Sequence, residues 1–409
     1  MSAIGWLGVV AFVVGILVSV MIHEWGHMVT AKRFGAKVTE FFVGFGPKLW
    51  SFQRGETEYG IKAIPAGGYV KIIGMTDLET IAPEDEARAF YRKPAWQRAV
   101  TLSAGSFMHL VIGVLLFWVA IGVFGNPVQD ATHPVLGSVV PCVPANASAP
   151  CTKTDPASPA LAAGLQPGDR ILSVDGKKVT VWSDVTSGIR AQPGQPVTLV
   201  IERNGSTITK TVTTKAVVRQ DVSDPSKNVT VGAIGVSPLV TYTQVRENPV
   251  KALGSSFSLT GQTITAGFSA IIRLPAKIYD VGKVLFGNGQ RDPNGAIGVV
   301  GISRISGDVA QSGGISPAGR IATILELLAG FNVFVGIFNM FPLLPLDGGH
   351  VAVLAYERAR AAIFRRRGQP EPPRPDMNKL LPLVYVVFIA FVAMTVLLVA
   401  ADILKPVQL

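Results

Sequence analysis

Nineteen residues without a charge, 4–22, run directly into His23-Glu24-Trp25-Gly26-His27. They belong to an apolar stretch from about Ile4 to Met28, and a bilayer crossing takes about 20 such residues. In lipid a lone segment must satisfy its own backbone, so this stretch crosses as a helix. A carboxylate in that setting costs about 2.5–3.5 kcal/mol on insertion scales, which makes Glu24 a candidate for function. Helix positions i and i+4 project from one face, about 6 Å apart. His23 and His27 can therefore share a metal ion, and Glu24 is placed to take a proton from water beside it. Alone, the pattern also occurs on soluble helices as surface or capping side chains. The apolar surroundings favour the metal.

Three further stretches can cross a bilayer: about Ala99 to Phe124, about Ile321 to Leu346 with Glu326 inside it, and Leu380 to Ala401. Charged residues make up only 16% of the 409, and mean hydropathy is +0.40, against about 25% charged in soluble chains. The first stretch lacks the basic flank and small-residue cleavage site of a signal peptide and is expected to remain. The net charge of +10 needs no nucleic acid. It is concentrated in 32–98 and in 357–379, with Arg358, Arg360, Arg365, Arg366 and Arg367, and both segments read as cytoplasmic. With four spans, the termini and the segment 125–320 then lie on the other side.

A catalytic zinc needs a third protein ligand and an open position. The candidate is Asp347, in Asn339-Met340-Phe341-Pro342-Leu343-Leu344-Pro345-Leu346-Asp347-Gly348-Gly349-His350. At 1.5 Å per residue it and the histidine pair sit at matching depth, about 10–15 Å below the cytoplasmic face. Pro342 and Pro345 break the helix and expose carbonyls suited to receiving an extended peptide. A helix-end cap is the bland alternative for Asp347, and His350 is a rival ligand. His109, midway along the second span, is either hydrogen-bonded to a neighbouring helix or a polar group facing substrate. His133 carries no argument.

Between the spans, Glu58 to Ile64 and Tyr69 to Ile73 alternate like strands, with Pro65-Ala66-Gly67-Gly68 read as their hairpin turn. Residues 135–218 read as a small β-rich domain. Val197–Glu202 and Thr207–Thr213 form strands about the turn Arg203-Asn204-Gly205-Ser206. Residues 219–248 read as loop, and Val250 to Phe286 as amphipathic helices on the outer membrane surface. Cys142 and Cys151, the only cysteines, lie in the outer segment and are expected to form a disulfide worth about 2.5–3 kcal/mol.

The H-E-x-x-H of the first span and the Asn-x-x-Pro-x-x-x-Leu-Asp-Gly of the third together resemble the site-2 proteases, in the bacterial branch that carries a PDZ-like domain and cleaves anti-sigma factors. The resemblance implies a polytopic helical membrane protein of four spans, with a membrane-associated β-loop at about 39–74 and an extracytoplasmic PDZ-like domain at 125–218. It divides the chain into 1–124, 125–218, a linker and amphipathic region at 219–320, and 321–409. By the resemblance His23, His27 and Asp347 hold Zn2+, and Glu24 is the catalytic base. The β-loop, with Gly67, Gly68 and Tyr69, pairs with unwound substrate, and Asn339 and Pro342 line its path. Leu165 to Asp175, with Gly164, Gly168 and Asp169, is similar to the PDZ signature. Two departures stand out. Pro141 to Asp155 interrupt the approach to Ser158-Pro159-Ala160, and His109 stands where the family commonly has Asn.

The resemblance thus implies an intramembrane zinc metalloendopeptidase of the bacterial inner membrane. It would hydrolyse transmembrane segments of single-span substrates, such as anti-sigma factors or signal-peptide remnants, toward the cytoplasmic side. A transmembrane helix hides its peptide bonds in its own hydrogen bonds, so substrate must unwind, and a strand edge can hold it by β-augmentation. The rivals are a metal transporter, which needs neither the Glu nor a PDZ-like domain, and an inactive peptide-binding scaffold, for which the metal constellation has no use.

Overall fold

The apolar runs become helices because lipid leaves their backbones no other partner. The computed structural model describes residues 1–75, 81–130, 132–144, 151, 156–220, 228–287, 291–292, 295–370, 372–373, 375 and 377–407. The chain begins with α1 (Ala3–Arg33), β1 (Val38–Arg54), β2 (Thr57–Ile72) and α2 (Ala95–Val119). A β-rich stretch follows: β3 (Asn126–Asp130), β4 (Leu136–Val139), α3 (Pro159–Ala162), β5 (Arg170–Val174), β6 (Lys177–Lys178), α4 (Trp182–Arg190), β7 (Pro196–Arg203), β8 (Ser206–Thr213), β9 (Lys215–Gln220), β10 (Asn228–Ala233), β11 (Val236–Pro238) and β12 (Thr241–Val245). The last helices are α5 (Pro249–Phe286), α6 (Val299–Gln311), α7 (Pro317–Asn339), α8 (Asp347–Arg366) and α9 (Leu381–Leu404). They form two compact units, Met1–Asn126 with Gln244–Leu409, and Pro127–Thr243.

Among the described residues of the first unit, four helices are long and apolar enough to cross a membrane: α1, α2 with its continuation to Phe124, α7 and α9. Their outward faces carry large apolar side chains, among them Leu7, Val10 and Val18 on α1 and Val386, Ile389 and Val396 on α9. An exposed stripe of that kind suits lipid rather than water. Phe117, Ile121, Ala329, Val333 and Ile337 form a core that α5 joins through Ala252 and Ile271. The stretch expected as amphipathic helices is thus the single helix α5, which contributes to this core. Arg291 and Asp402, both buried, form an ion pair at 2.6 Å, and Asp402 also accepts the Gly301 N–H at 2.8 Å.

Two boundaries differ from expectation. The third span ends at Asn339, not Leu346, because Pro342 offers no N–H and its ring disfavours helix at Phe341. The basic segment 357–379 begins inside α8, which covers it as far as Arg366. That helix has Asp347 in its first turn and Arg365 and Arg366 in its last, followed by Gly368 at φ 67°. The charges complement the helix dipole, and the glycine takes the left-handed terminating position.

The β-loop also departs from the expected hairpin. Pro65 to Gly68 lie inside the continuous β2, and the chain reverses instead at Gly55, which has φ 63°. Both strands bend. Residues 40–43 pair with 68–71 in antiparallel register and also with 58–61, while 50–54 pair with 57–61. Segment 68–72 is thus an edge whose outer side has no strand partner among the described residues. Phe45, Leu49, Trp50, Phe52, Ile61 and Ile64 are exposed on this loop.

The second unit is built on a sheet of order β6-β5-β7-β8, closed over Leu136, Ile171, Leu199 and Ile201 by Val185 and Ile189 of α4. The β7–β8 turn falls where expected, with Asn204 at φ 51° and Gly205 at φ 76°. Residues 219–248, expected as loop, instead carry β10, β11 and β12, so the unit extends past 218 to Thr243. Cys142 and Cys151 are joined in a disulfide. Of the Pro141 to Asp155 insertion, 145–150 and 152–155 lie outside the described residues.

Candidate metal centre

One turn of α1 presents His23 and His27 side by side, both buried, and the first residue of α8 brings Asp347 to them. Asp347 Oδ2 lies 3.4 Å from His23 Nε2 and 3.2 Å from His27 Nε2, and the two nitrogens are 3.1 Å apart. Three ligand atoms at about 2.0–2.1 Å from one tetrahedral ion stand about 3.3 Å from each other. The triangle has the size of one face of a zinc tetrahedron and leaves the fourth vertex open. The residues present fit Zn2+.

The surroundings aim these atoms. His27 Nδ1 lies 2.7 Å from the Thr101 carbonyl of α2. A carbonyl only accepts, so Nδ1 carries the proton and Nε2 turns its lone pair to the centre of the triangle. Asn339, at the end of α7, donates Nδ2–H to Asp347 Oδ2 at 2.6 Å and stands 3.4 Å from His23 Nε2. Glycine lets α2 come this close: a Cβ on Gly105 would lie 2.3 Å from His27 Nε2 and 2.4 Å from His23 Cε1. His23 Nδ1 is buried and has no hydrogen-bond partner among the described residues.

Glu24 is half-buried beside the pair and receives the backbone N–H of Val70 from the edge segment of β2. A Cβ on Gly68 would lie 3.4 Å from Glu24 Cγ. Of the residues expected to meet substrate, Gly68 and Asn339 are therefore at the centre. Side chains alternate along a strand. Tyr69 accordingly points away, stacking on Phe42 and Phe45 and donating its hydroxyl to Glu40 at 2.5 Å. Gly67 packs against Phe45, and Pro342 is exposed in the turn before α8. His350 does not join the His–His–Asp group; it lines a small cavity with Arg98 and Glu357.

Of the two readings weighed for His109, the hydrogen bond to a neighbouring helix is present. His109 Nδ1 is 2.8 Å from Asn332 Oδ1 on α7, and its ring centroid is 5.0 Å from that of His23. Asn332 and Gly105 escaped the sequence reading. Asn332 is a polar residue deep in an apolar span, the same signal of cost that singled out Glu24. Thr101 acts through its backbone, which leaves no signature in the sequence.

Comparison with known proteins agrees with this geometry. A family model described as peptidase family M50 matches residues 11–370. The chain is 37% identical over 410 residues to the zinc metalloprotease Rip1 of Mycobacterium tuberculosis, covering 98% of each. It is 36% identical over 411 residues to the zinc metalloprotease Rip1 of Mycolicibacterium smegmatis, again over 98% of each. The Mycobacterium bovis protein of that name matches at 37% over 410 residues and 98% of each chain.

Proposed function

The chain belongs to peptidase family M50 and is a multi-pass zinc metalloprotease of the site-2 type, and from that premise we propose that it cuts other proteins within their membrane-spanning segments. The transporter and scaffold readings fall with that membership. The observation that carries the proposal is the zinc-sized triangle of His23, His27 and Asp347, with Glu24 between it and the 68–72 edge of β2. In this reading those three residues are the metal ligands and Glu24 is the catalytic base.

When bound, zinc supplies a Lewis acid that polarises the scissile carbonyl and acidifies water. Glu24 takes a proton from the attacking water and delivers it to the leaving amine as the C–O bond forms and the C–N bond breaks. Asn339 holds the Asp347 oxygen in place. The edge at 68–72 receives the unwound substrate as an added strand, with Gly67 and Gly68 leaving room and Tyr69 contributing backbone only. Pro342 lines the same path from the turn before α8.

The substrates of this reading are single-span membrane proteins, anti-sigma factors or signal-peptide remnants. The basic segments on the loop and α8 support a cytoplasmic position for that side and an extracytoplasmic one for the second unit. That unit is read as PDZ-like, a filter or tail reader. A groove of about 350 Å³ between α4 and residues 231–236 supports it.

The test uses full-length protein in detergent with a single-span model peptide. Glu24→Gln is expected to keep its zinc and to lose cleavage by about 10²–10⁴-fold. Equal cleavage by the variant and the wild type would remove Glu24 from the mechanism.

A further inference from the structure

The two histidines of the centre are supported unequally. His27 is oriented by the Thr101 carbonyl, whereas the buried Nδ1 of His23 has no partner among the described residues. If Nε2 of His23 holds the metal, Nδ1 must carry the proton, and a buried N–H without an acceptor is costly. Metal-bound histidines generally give that proton to a carboxylate, a carbonyl or water. The nearest ring to His23 outside its own helix is His109.

The tautomer of His109 is fixed by its neighbour. Asn332 Nδ2 donates to the Leu328 carbonyl at 2.8 Å, so its amide oxygen must be the atom 2.8 Å from His109 Nδ1. The reverse orientation would set two oxygens against each other. His109 Nδ1 is thus the donor, and in the neutral ring Nε2 is an acceptor. Two imidazoles joined by a direct N–H···N bond have centroids about 5 Å apart, since the bond spans about 2.9 Å and each nitrogen sits about 1 Å from its ring centre. The His23 and His109 centroids are 5.0 Å apart with the rings tilted by 43°, and no bond between them is formed in this geometry, so a small turn of either ring is what closes it. His109 stands one helical turn beyond Gly105, whose missing Cβ leaves the space beside His23 Nδ1 open.

We infer that His109 is the positioning residue for His23, accepting its Nδ1–H on Nε2, and that Asn332 holds His109 in the tautomer able to do so. The result is a chain from Asn332 through His109 and His23 to the metal, matching the role of Thr101 toward His27. The inference rests on the reading of His23, His27 and Asp347 as zinc ligands.

Zinc affinity of the full-length protein in detergent, measured by competition with a chromogenic chelator, tests it without reference to cleavage. His109→Leu is expected to weaken zinc binding by about 10–100-fold. His109→Gln, whose amide oxygen reaches toward the place of Nε2, is expected to stay close to wild type. Wild-type affinity in His109→Leu would overturn the inference. So would equal weakening in both variants, which would mark a packing role. If His109→Leu does not fold, as judged by size exclusion of the metal-free protein, Asn332→Leu takes its place. That variant keeps His109 but frees its tautomer; an expected loss of about tenfold supports the chain, and no loss overturns it. His27→Ala is the control for the underlying reading: wild-type affinity there would overturn the ligand assignment itself, whatever His109 does.

Discussion

The Thr101 carbonyl accepts a hydrogen bond from His27 Nδ1 at 2.7 Å, so α2 sets the orientation of a histidine on α1. The two helices meet this closely because Gly105 faces the imidazoles. A Cβ there would stand 2.3 Å from His27 Nε2, well inside van der Waals contact. Gly105→Ala is therefore expected to weaken zinc binding by at least about tenfold, with proteolysis falling alongside. Zinc content after dialysis against a chelator series reads this directly. Unchanged affinity would mean that α2 withdraws at no cost to the site.

Gly68 sits on the other side of the centre. Its missing side chain leaves 3.4 Å to Glu24 Cγ and 3.1 Å to the Phe42 carbonyl. A branched side chain must displace either Glu24 or the strand edge, and a misplacement of about 1 Å can cost about 100-fold in rate. Gly68→Leu is expected to bind zinc normally and to lose about that much in kcat/KM. Loss of zinc together with activity would instead indicate collapse of the β-loop onto α1.

The residues that the sequence made legible are those whose presence in lipid is expensive. His23, Glu24 and His27 stood out against nineteen uncharged neighbours, and Asp347 followed from matching depth. Spans and the Asn204-Gly205 turn were readable from apolar length and local turn chemistry. The β-loop was not. Its strands bend so that residues 40–43 pair on both sides, and the Pro-Gly signal at 65–68 marks a bend within a strand rather than its end. Alternation along the chain records one face at a time and cannot report which segments become neighbours. The strands of 228–245 were missed for a related reason: they are short and polar, and long-range partners decide them.

Cys142 and Cys151 are joined across nine positions of sequence, and Cys142 is buried at the groove beside α4. Protein exported to an oxidising compartment is expected to show no free thiol before reduction and two after it. Replacing both by Ser should destabilise the second unit by about 2.5–3 kcal/mol on the chain-entropy estimate. Two titratable thiols in the folded, unreduced protein would contradict the bond.

Asp169 contributes to the pH dependence of that unit. It is buried, which opposes ionisation, but Arg203 meets both oxygens at 2.6 and 2.7 Å and the Gln166 N–H reaches Oδ2 at 2.8 Å. Together these hold its carboxyl below the usual range. A carboxyl lowered on folding stabilises the fold fully above its unfolded value, about 3.9. That contribution is lost as pH falls through the lower, folded value, because protonation removes the Arg203 partnership. Asp169→Asn removes it at every pH. At pH 7 the variant should lower hydrogen-exchange protection of residues 165–203 by about tenfold, and the loss of protection that wild type shows on acidification should shrink in the variant. Equal acid sensitivity in both proteins would assign the effect to another carboxylate.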